Sequence, residues 1–590
     1  MAERYEPARG YPEVPVKLPA NAPSAEYGSD LIAELISSMG FEHVFLLPGS
    51  SFRGLHDSLV NHTRNTKPEM ILCPTEFAAI SAGHGYAKAT GKPALVIIHD
   101  LVGLMLGCMS VFNAWCDQVP LLVLGGSGPL DPNKRRIIDW THSASSQSDL
   151  VKKFTKWTSE PPTLQSTLDS IMRGYRVAGT APYGPVYISI DQDVQEAKIP
   201  LGIVMPDPKN PMYAPPAPQA ADANAITQAV DWLLAAKMPL IIAGRIGYNP
   251  ATTEPLAELV ELTGAAYLDD RNVACMATDH PHNLSGDNEI QKTADLVLTI
   301  DCVDTENAAG KPRAGKRIVD MSLNFLYPNN WSNYGGPLPP VDLQIPCAAL
   351  VGIAQLNAAL RERLAKNPPA VLATRRTELK ERHDVLRKKQ REGWSARANE
   401  VPIARPRLTD ALYDAVKDKD WVITVRNNRG LDEGVFRLKG AGQYLGGDGG
   451  GGVGYAPGAA VGAALALRDK KKFCIALMGD GEFTIGSAAI WTAAHYRIPF
   501  LLVITNNTSW GNDETHQVSV AKTRGRPPEN AWIGQRMIEP DIDFAALAKS
   551  YGAWTEGPVT DPNTLTAVFK RAIAAVESGQ TAVVDVRVQL

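Results

Sequence analysis

The feature that most constrains this chain is the recurrence of short, continuous apolar runs separated by longer, helix-like segments. The first third holds HVFLL, ALVIIH, PLLVLGG and PVYISI. The middle holds PLIIAG, AAYLDD, ADLVLTID and KRIVDMS, and the last third WVITV, KFCIALMG, PFLLVIT and TAVVDVRV. A strand that is apolar along its whole length is buried on both faces, and helices between such strands cover them. The pattern predicts an α/β chain of three doubly wound parallel-sheet domains. Two stretches interrupt it. Residues 199–222 (IPLGIVMPDPKNPMYAPPAPQAAD) carry too much proline for an element interior, and residues 367–406 are strongly charged around TRRTELKERHDVLRKKQREGW. The expected organisation is an N-terminal arm (1–27), a first domain (28–198), a linker (199–222), a middle domain (223–366), a charged linker carrying a solvated helix (367–406) and a last domain (407–590).

Charge excludes some functions. Lys plus Arg (59) nearly balance Asp plus Glu (63), so no global field draws nucleic acid or an anionic membrane. No apolar run approaches the ~20 residues that span a bilayer, and the first residues lack a signal-peptide core. The seven cysteines are scattered without a C-x-x-C pair, which argues against a zinc site or disulfide framework and for a reducing cytoplasm.

The most informative stretch is KKFCIALMGDGEFTIGSAAIWTAAHYRIPFLLVITNNTSWGND. A buried strand should end at Met478, turn at Gly479-Asp480-Gly481 and enter a helix running to about Tyr496. A second buried strand should end at Asn506-Asn507. Ligands of open parallel sheets sit beyond the carboxyl ends of strands, so Asp480 and Asn507 should converge although 27 positions apart. A carboxylate with an amide oxygen suits a hard cation such as Mg²⁺. Glycines at a helix start let backbone N–H groups approach a diphosphate. The competing reading is an Asp that only caps its helix. Upstream, GGDGGGGVGYAPGAAVGAAL runs glycines into a small-residue helix, either a second phosphate approach or a flexible loop.

GDG followed by NN at this spacing resembles the motif of thiamine-diphosphate-dependent enzymes, and the likeness runs from about Ser29 to Leu590. The resemblance implies the thiamine-diphosphate-binding fold, with pyrimidine-binding, middle and diphosphate-binding domains. It implies Mg²⁺ on Asp480, Asn507 and the backbone carbonyl of Ser509, with Gly479 and Gly481 against the diphosphate. Val453 would be the apolar wedge that bends the cofactor, and Asn427 and Asn428 weaker diphosphate contacts. Glu76, in ILCPTEFAAISAGHGYAKATGKP, would be the glutamate that hydrogen-bonds the aminopyrimidine, rather than an ordinary helix N-terminal acid. An apolar setting would raise its pKa and let it donate. The two half-sites would come from different subunits of a homodimer or homotetramer. FAD in the middle domain stays open, since RIGYNP carries no fingerprint for it.

Within that superfamily of acetolactate synthase, benzoylformate decarboxylase and benzaldehyde lyase, three details resemble benzoylformate decarboxylase. LPGSSF puts Ser50 at a substrate-binding position, VIIHDLVG puts His99 at a catalytic one, and SAAIWTAAHYRIP matches its helix. His280 in ATDHPHNL would be a second active-site histidine. Plain alternatives are a turn hydroxyl for Ser50 and a backbone-bonded histidine for His99. Where other branches carry a glutamine, this chain has RRIIDWTHSASSQ with Trp140 and His142, and its glycine loop has an additional Asp448. The expected activity is decarboxylation of a 2-oxo acid, or carboligation with an aldehyde. Cleavage of an acyloin or diketone without CO₂ loss is the alternative, and a catalytically silent cofactor-binding subunit the third. An NAD-dependent dehydrogenase is disfavoured, because GGGGVG lacks the acidic residue about 20 positions on.

Overall fold

The computed structural model describes residues 11–15, 18, 24–270, 273–311, 313–334, 338, 340–427, 434–447 and 449–590. Three parallel sheets succeed one another along the chain. The first holds β1 (His43–Leu46), β2 (Glu69–Leu72), β3 (Ala94–Ile98), β4 (Leu121–Ser127), β5 (Trp157–Ser159) and β6 (Val186–Asp191), in the order β2-β1-β3-β4-β6-β5. The second holds β7 (Pro239–Ala243), β8 (Ala266–Asp269), β9 (Leu296–Ile300), β10 (Arg317–Met321) and β11 (Leu343–Ile345), ordered β11-β10-β9-β7-β8. The third holds β12 (Trp421–Asn427), β13 (Phe473–Gly479), β14 (Leu501–Asn506), β15 (Trp554–Val559) and β16 (Ala582–Arg587), ordered β12-β13-β14-β16-β15. The apolar runs are strands, buried on both faces as their unbroken apolar sequence requires.

The first and third sheets share one core. Helix Glu76–Thr90 lies against helix Tyr455–Leu467, and residues from both join β3, β13 and β14 in a single buried cluster. Both helices are rich in Gly and Ala, and the backbones touch. A Cβ on Gly85 or Gly462 would fall onto the carbonyl oxygens of Ala459 and Ala82 respectively. The middle sheet keeps a separate core.

Two elements differ from expectation. The charged stretch forms helix Val371–Ser395, but it is not solvated on all sides: Arg375, His383 and Arg387 are buried. The Arg375 guanidinium donates to the Thr263 and Leu234 carbonyls at 2.8 and 3.1 Å, and Arg387 to those of Thr278 and Ser285, both at 3.2 Å. The helix is thus a strap over the middle domain, because long cations can reach the carbonyls left over at helix and loop ends. The helix expected to run from the GDG turn to Tyr496 is two helices, Asp480–Gly486 and Ala489–His495. It breaks where Gly486 packs directly on the Gly454 carbonyl and Pro457. Among the described residues no helix is long and apolar enough to cross a membrane.

Candidate active site

β1, β2 and β3 end together, with Leu46 opposite Leu72 and beside Ile97. The loops that leave these three strands therefore emerge at one edge of the first sheet. After β2, the Thr75 hydroxyl accepts from the Ala78 N–H at 3.0 Å and starts the helix at Glu76. Glu76 is only 5% exposed. Its carboxyl lies over Gly103, where a Cβ would stand 2.6 Å from Glu76 Oε1 and 2.9 Å from His99 Cβ. Gly103 is therefore a shared floor that keeps the acid and the imidazole side by side. Burial pushes the Glu76 carboxyl above its ordinary range, while His99 pulls it the other way. That is the direction a carboxyl needs if it is to donate.

After β3, His99 packs on Gly49, and its Nδ1 is 2.7 Å from the hydroxyl of Ser51. The hydroxyl that reaches His99 is that of Ser51, a residue outside the expected site set. The chain turns as a 3₁₀ helix over Ser50–Phe52, and consecutive side chains in such a turn point about 120° apart. Ser51 is 1% exposed, whereas Ser50 opens onto a surface cleft of about 580 Å³ shared with Arg53 and His56. Asp100 and His142, both outside the expected catalytic set, complete this edge, with His99 Nε2 3.6 Å and His142 Nδ1 3.5 Å from the Asp100 carboxylate. Trp140 of the same loop is exposed. His280 is not brought here. It stays on the middle domain with Nε2 3.2 Å from Glu261, and its loop is tied down where Thr278 N–H donates to the Leu438 carbonyl. Among the described residues no hydrogen bond, ion pair or ring contact joins it to His99.

The third sheet builds the other half. β13 and β14 pair in parallel through Gly479 and Thr505, so Asp480 and the Asn506-Asn507 pair leave adjacent strand ends, as the spacing predicts. Asp480 is buried, and its Oδ1 accepts from Gly481 N–H at 3.0 Å. Its Oδ2 is also buried and, among the described residues, has no hydrogen-bond partner. Burial raises the Asp480 pKa, opposed by the N–H groups of Gly481, Thr508 and Ser509. An orphaned carboxylate oxygen under a loop of amide and carbonyl oxygens is what a hard cation would satisfy, so the residues fit Mg²⁺. The loop is braced: Asn507 Oδ1 accepts from Ser509 N–H at 3.0 Å, and Ser509 donates to Glu514 at 2.6 Å. The two glycines divide their roles. Among the described residues nothing lies within 4 Å of a Cβ on Gly479, whereas a Cβ on Gly481 would meet the Trp510 ring at 2.7 Å.

The glycine loop spans the halves. Asn113 exchanges hydrogen bonds with the Gly452 backbone, each 3.3 Å, and Lys88 Nζ donates to the Gly447 carbonyl at 2.7 Å. Val453 is half-buried between Gly452 and Gly454. Gly454 has φ +98°, and a Cβ there would clash with Ile485 and come 3.1 Å from Phe77. Phe77 neighbours Glu76, and Ile485 belongs to the helix that Asp480 opens, so both halves meet around the expected wedge. Asn428 and Asp448, and the side chain of Asn427, lie outside the described residues. In the middle sheet, the turn after β7 is filled by protein: a Cβ on Gly244 would meet the Asp301 carbonyl at 2.5 Å, and Arg245 donates to the Cys116 carbonyl at 3.1 Å.

Known proteins match along the whole chain. Residues 27–150 match the family model for the N-terminal TPP binding domain of thiamine pyrophosphate enzymes, and residues 432–586 the model for the C-terminal TPP binding domain. Benzoylformate decarboxylase of Pseudomonas aeruginosa is 24% identical over 92% of this chain and 96% of its own length. A probable acetolactate synthase large subunit of Methanococcus aeolicus is 23% identical over 92% of this chain and 90% of its own. Among solved structures, the thiamine diphosphate-dependent 4-hydroxybenzoylformate decarboxylase of Rhodococcus jostii superposes with a TM-score of 0.74 at 21% identity, covering 96% of this chain and 99% of that one. Benzoylformate decarboxylase from Polynucleobacter necessarius also reaches 0.74, at 19% identity over the same shares. The matched domains carry the two half-sites built above, one around Glu76 and one around Asp480, and the chain belongs to the thiamine pyrophosphate enzymes.

Proposed function

We propose that the chain is a decarboxylase or carboligase acting on 2-oxo acids, with thiamine diphosphate and Mg²⁺ as cofactors. The observation that carries this is the pairing of a buried Glu76, its carboxyl pushed above the ordinary range, with an imidazole across Gly103, in a chain whose other half offers an unsatisfied Asp480 oxygen among the described residues. Asp480, Asn507 and the Ser509 carbonyl would hold the cation. Gly479 leaves the room a diphosphate needs, and Val453 stands where it can press on the bound cofactor. When bound, thiamine diphosphate supplies the nucleophilic carbon and the electron sink. Glu76 holds a proton at its carboxyl for the aminopyrimidine. The imidazoles beyond it offer ring nitrogens for hydrogen bonding and proton transfer. Ser51, buried behind His99, fixes that ring rather than meeting substrate. The names of the benzoylformate decarboxylases and acetolactate synthases favour 2-oxo acids over other carbonyl substrates.

Self-association belongs to the same reading. On helix Leu101–Cys116, Val102, Met105, Leu106 and Met109 form one exposed apolar stripe beside Glu76. Such a stripe needs cover, and a second copy of the chain in a homodimer, or a homotetramer built from it, supplies it. Among the described residues no disulfide joins any of the seven cysteines, in keeping with a cytoplasmic enzyme.

A substrate panel tests the reading. With thiamine diphosphate and Mg²⁺ present, arylglyoxylates and alkyl 2-oxo acids are assayed for CO₂ release, and acyloins and diketones for aldehyde or acid release. CO₂ from a 2-oxo acid is the expected result. Turnover confined to acyloins or diketones would replace it with lyase or hydrolase chemistry.

A further inference from the structure

Three ligand-type side chains meet at the edge of the first sheet in a way the function above does not use. One atom each of His99, Asp100 and His142 lies within 4.8 Å of the other two, and the two rings pack edge to face with centroids 5.5 Å apart. Asp100 is 3% exposed and also caps helix Leu101–Cys116, accepting from Val102 N–H at 3.3 Å. A capping role explains one of its oxygens. It does not explain why the other, Oδ2, lies 3.5 Å from His142 Nδ1.

The two imidazoles are not equivalent. His99 has both nitrogens turned into protein, Nδ1 to Ser51 and Nε2 to Asp100. His142 has only Nδ1 committed: that atom is buried, has no hydrogen-bond partner among the described residues, and faces Asp100. Its side chain is 27% accessible against 16% for His99. Nε2 of His142 is therefore the ring nitrogen left for a ligand.

We infer that His142 is the substrate-facing imidazole of this active site, set by Asp100 with His99 as the supporting ring, and that its Nε2 hydrogen-bonds a carboxylate or carbonyl oxygen of the substrate. This rests on the reading of the site as one that takes 2-oxo acids. Asp100 and His99 are then positioning residues for His142. The chemistry is consistent. With Nδ1–H directed at Asp100, Nε2 carries a proton only in the imidazolium form, so the ring donates to an anionic oxygen when charged. The other titratable groups facing Asp100 are Glu76 and Asp139, and Asp139 is held by Arg136 at 2.6 Å. Asp139 adds negative charge to the cluster, and burial raises the Asp100 pKa.

The test has one readout independent of turnover. Cofactor-free protein is treated with diethyl pyrocarbonate, which acylates an uncharged, accessible imidazole nitrogen, and modified histidines are mapped by mass spectrometry with and without benzoylformate or pyruvate. His142 should be modified well ahead of His99 and be protected by one of the 2-oxo acids. On the holoenzyme, His142→Asn should raise KM about tenfold or more, the scale of a hydrogen bond to a charged group, while kcat changes far less. His142→Gln, which keeps a donor, should recover part of the loss. Equal or faster labelling of His99, or a KM within twofold of wild type in His142→Asn, overturns the inference. So does one equivalent of tightly held Zn²⁺ or Mn²⁺ that is lost on substitution of His142. If no 2-oxo acid is turned over but acyloins are, the substrate class fails. Protection of His142 by acetoin would then still identify it as the residue that meets substrate.

Discussion

At the scale of single residues, the site rests on carboxyl groups kept out of water. Burial pushes the Glu76 carboxyl above its ordinary range, the direction a proton-holding role needs. Glu76→Gln should bind thiamine diphosphate nearly as well as wild type yet slow hydrogen–deuterium exchange at the cofactor's C2 by about 100-fold or more, on the scale general acid–base groups contribute. Exchange at the wild-type rate would remove Glu76 from that role. Asp585 tells a related story with a pH signature. It lies behind Asn506, which donates to it at 3.2 Å, and burial raises its pKa to about 6, with Asp480 adding like charge. The native state then holds this proton more tightly than the unfolded chain. Stability from this group is full below about pH 4 and is lost as pH rises through 6. In magnesium-free buffer, Asp585→Asn should flatten that slope in thermal unfolding between pH 4.5 and 7, and stabilise the protein at pH 7 by up to ~3 kcal/mol. Residues of this kind are only partly legible in the sequence. Asp480 and Asn507 are, because two strand ends and a fixed spacing determine where they go. Ser51 is not, because neighbouring serines differ only in the phase of a short 3₁₀ turn. Asp100 reads as a helix cap, and the cap conceals its second contact.

At the scale of elements, the contact between helices Glu76–Thr90 and Tyr455–Leu467 is the joint on which the site depends. Its geometry comes from glycines with no room for a methyl group. Gly462→Ala would push a Cβ into the Ala82 carbonyl, which cannot yield without moving its helix. The expected cost is about 1–3 kcal/mol, seen as a lower melting temperature and weaker thiamine diphosphate retention on gel filtration. Long apolar strands are readable in the amino-acid order alone, since their composition leaves one environment open to them. The shortest are not. β5 is Trp157–Ser159 and β11 Leu343–Ile345, too brief to show a period, and β15 contains Gly557-Pro558, which argues against a strand. The strap helix Val371–Ser395 is legible as a helix but not as a buried one, because charge alone does not reveal that Arg375 and Arg387 turn inward.

At the scale of the whole molecule, the proposed homodimer makes a prediction of its own. If each catalytic centre takes its Glu76 from one subunit and its Asp480 from the other, Glu76→Gln and Asp480→Ala proteins should each be inactive. Mixed after dissociation, they should regain activity, because a hybrid has one centre bearing both lesions and one bearing neither. No recovery in a verified hybrid would place both groups of each centre in a single subunit. The shared core of the first and third sheets also bears on how the protein is made. Tyr496 O–H accepts the N–H of Leu72 at 2.9 Å across 424 positions, and Thr492 donates to the Leu72 carbonyl at 2.8 Å. A chain leaving the ribosome has synthesised its early strands long before their covering surface exists. Contacts of such separation form late and slowly, and the waiting segment stays prone to aggregation. Chaperone dependence during synthesis, and poor refolding from denaturant compared with native yield, are the expected cost of that one seam.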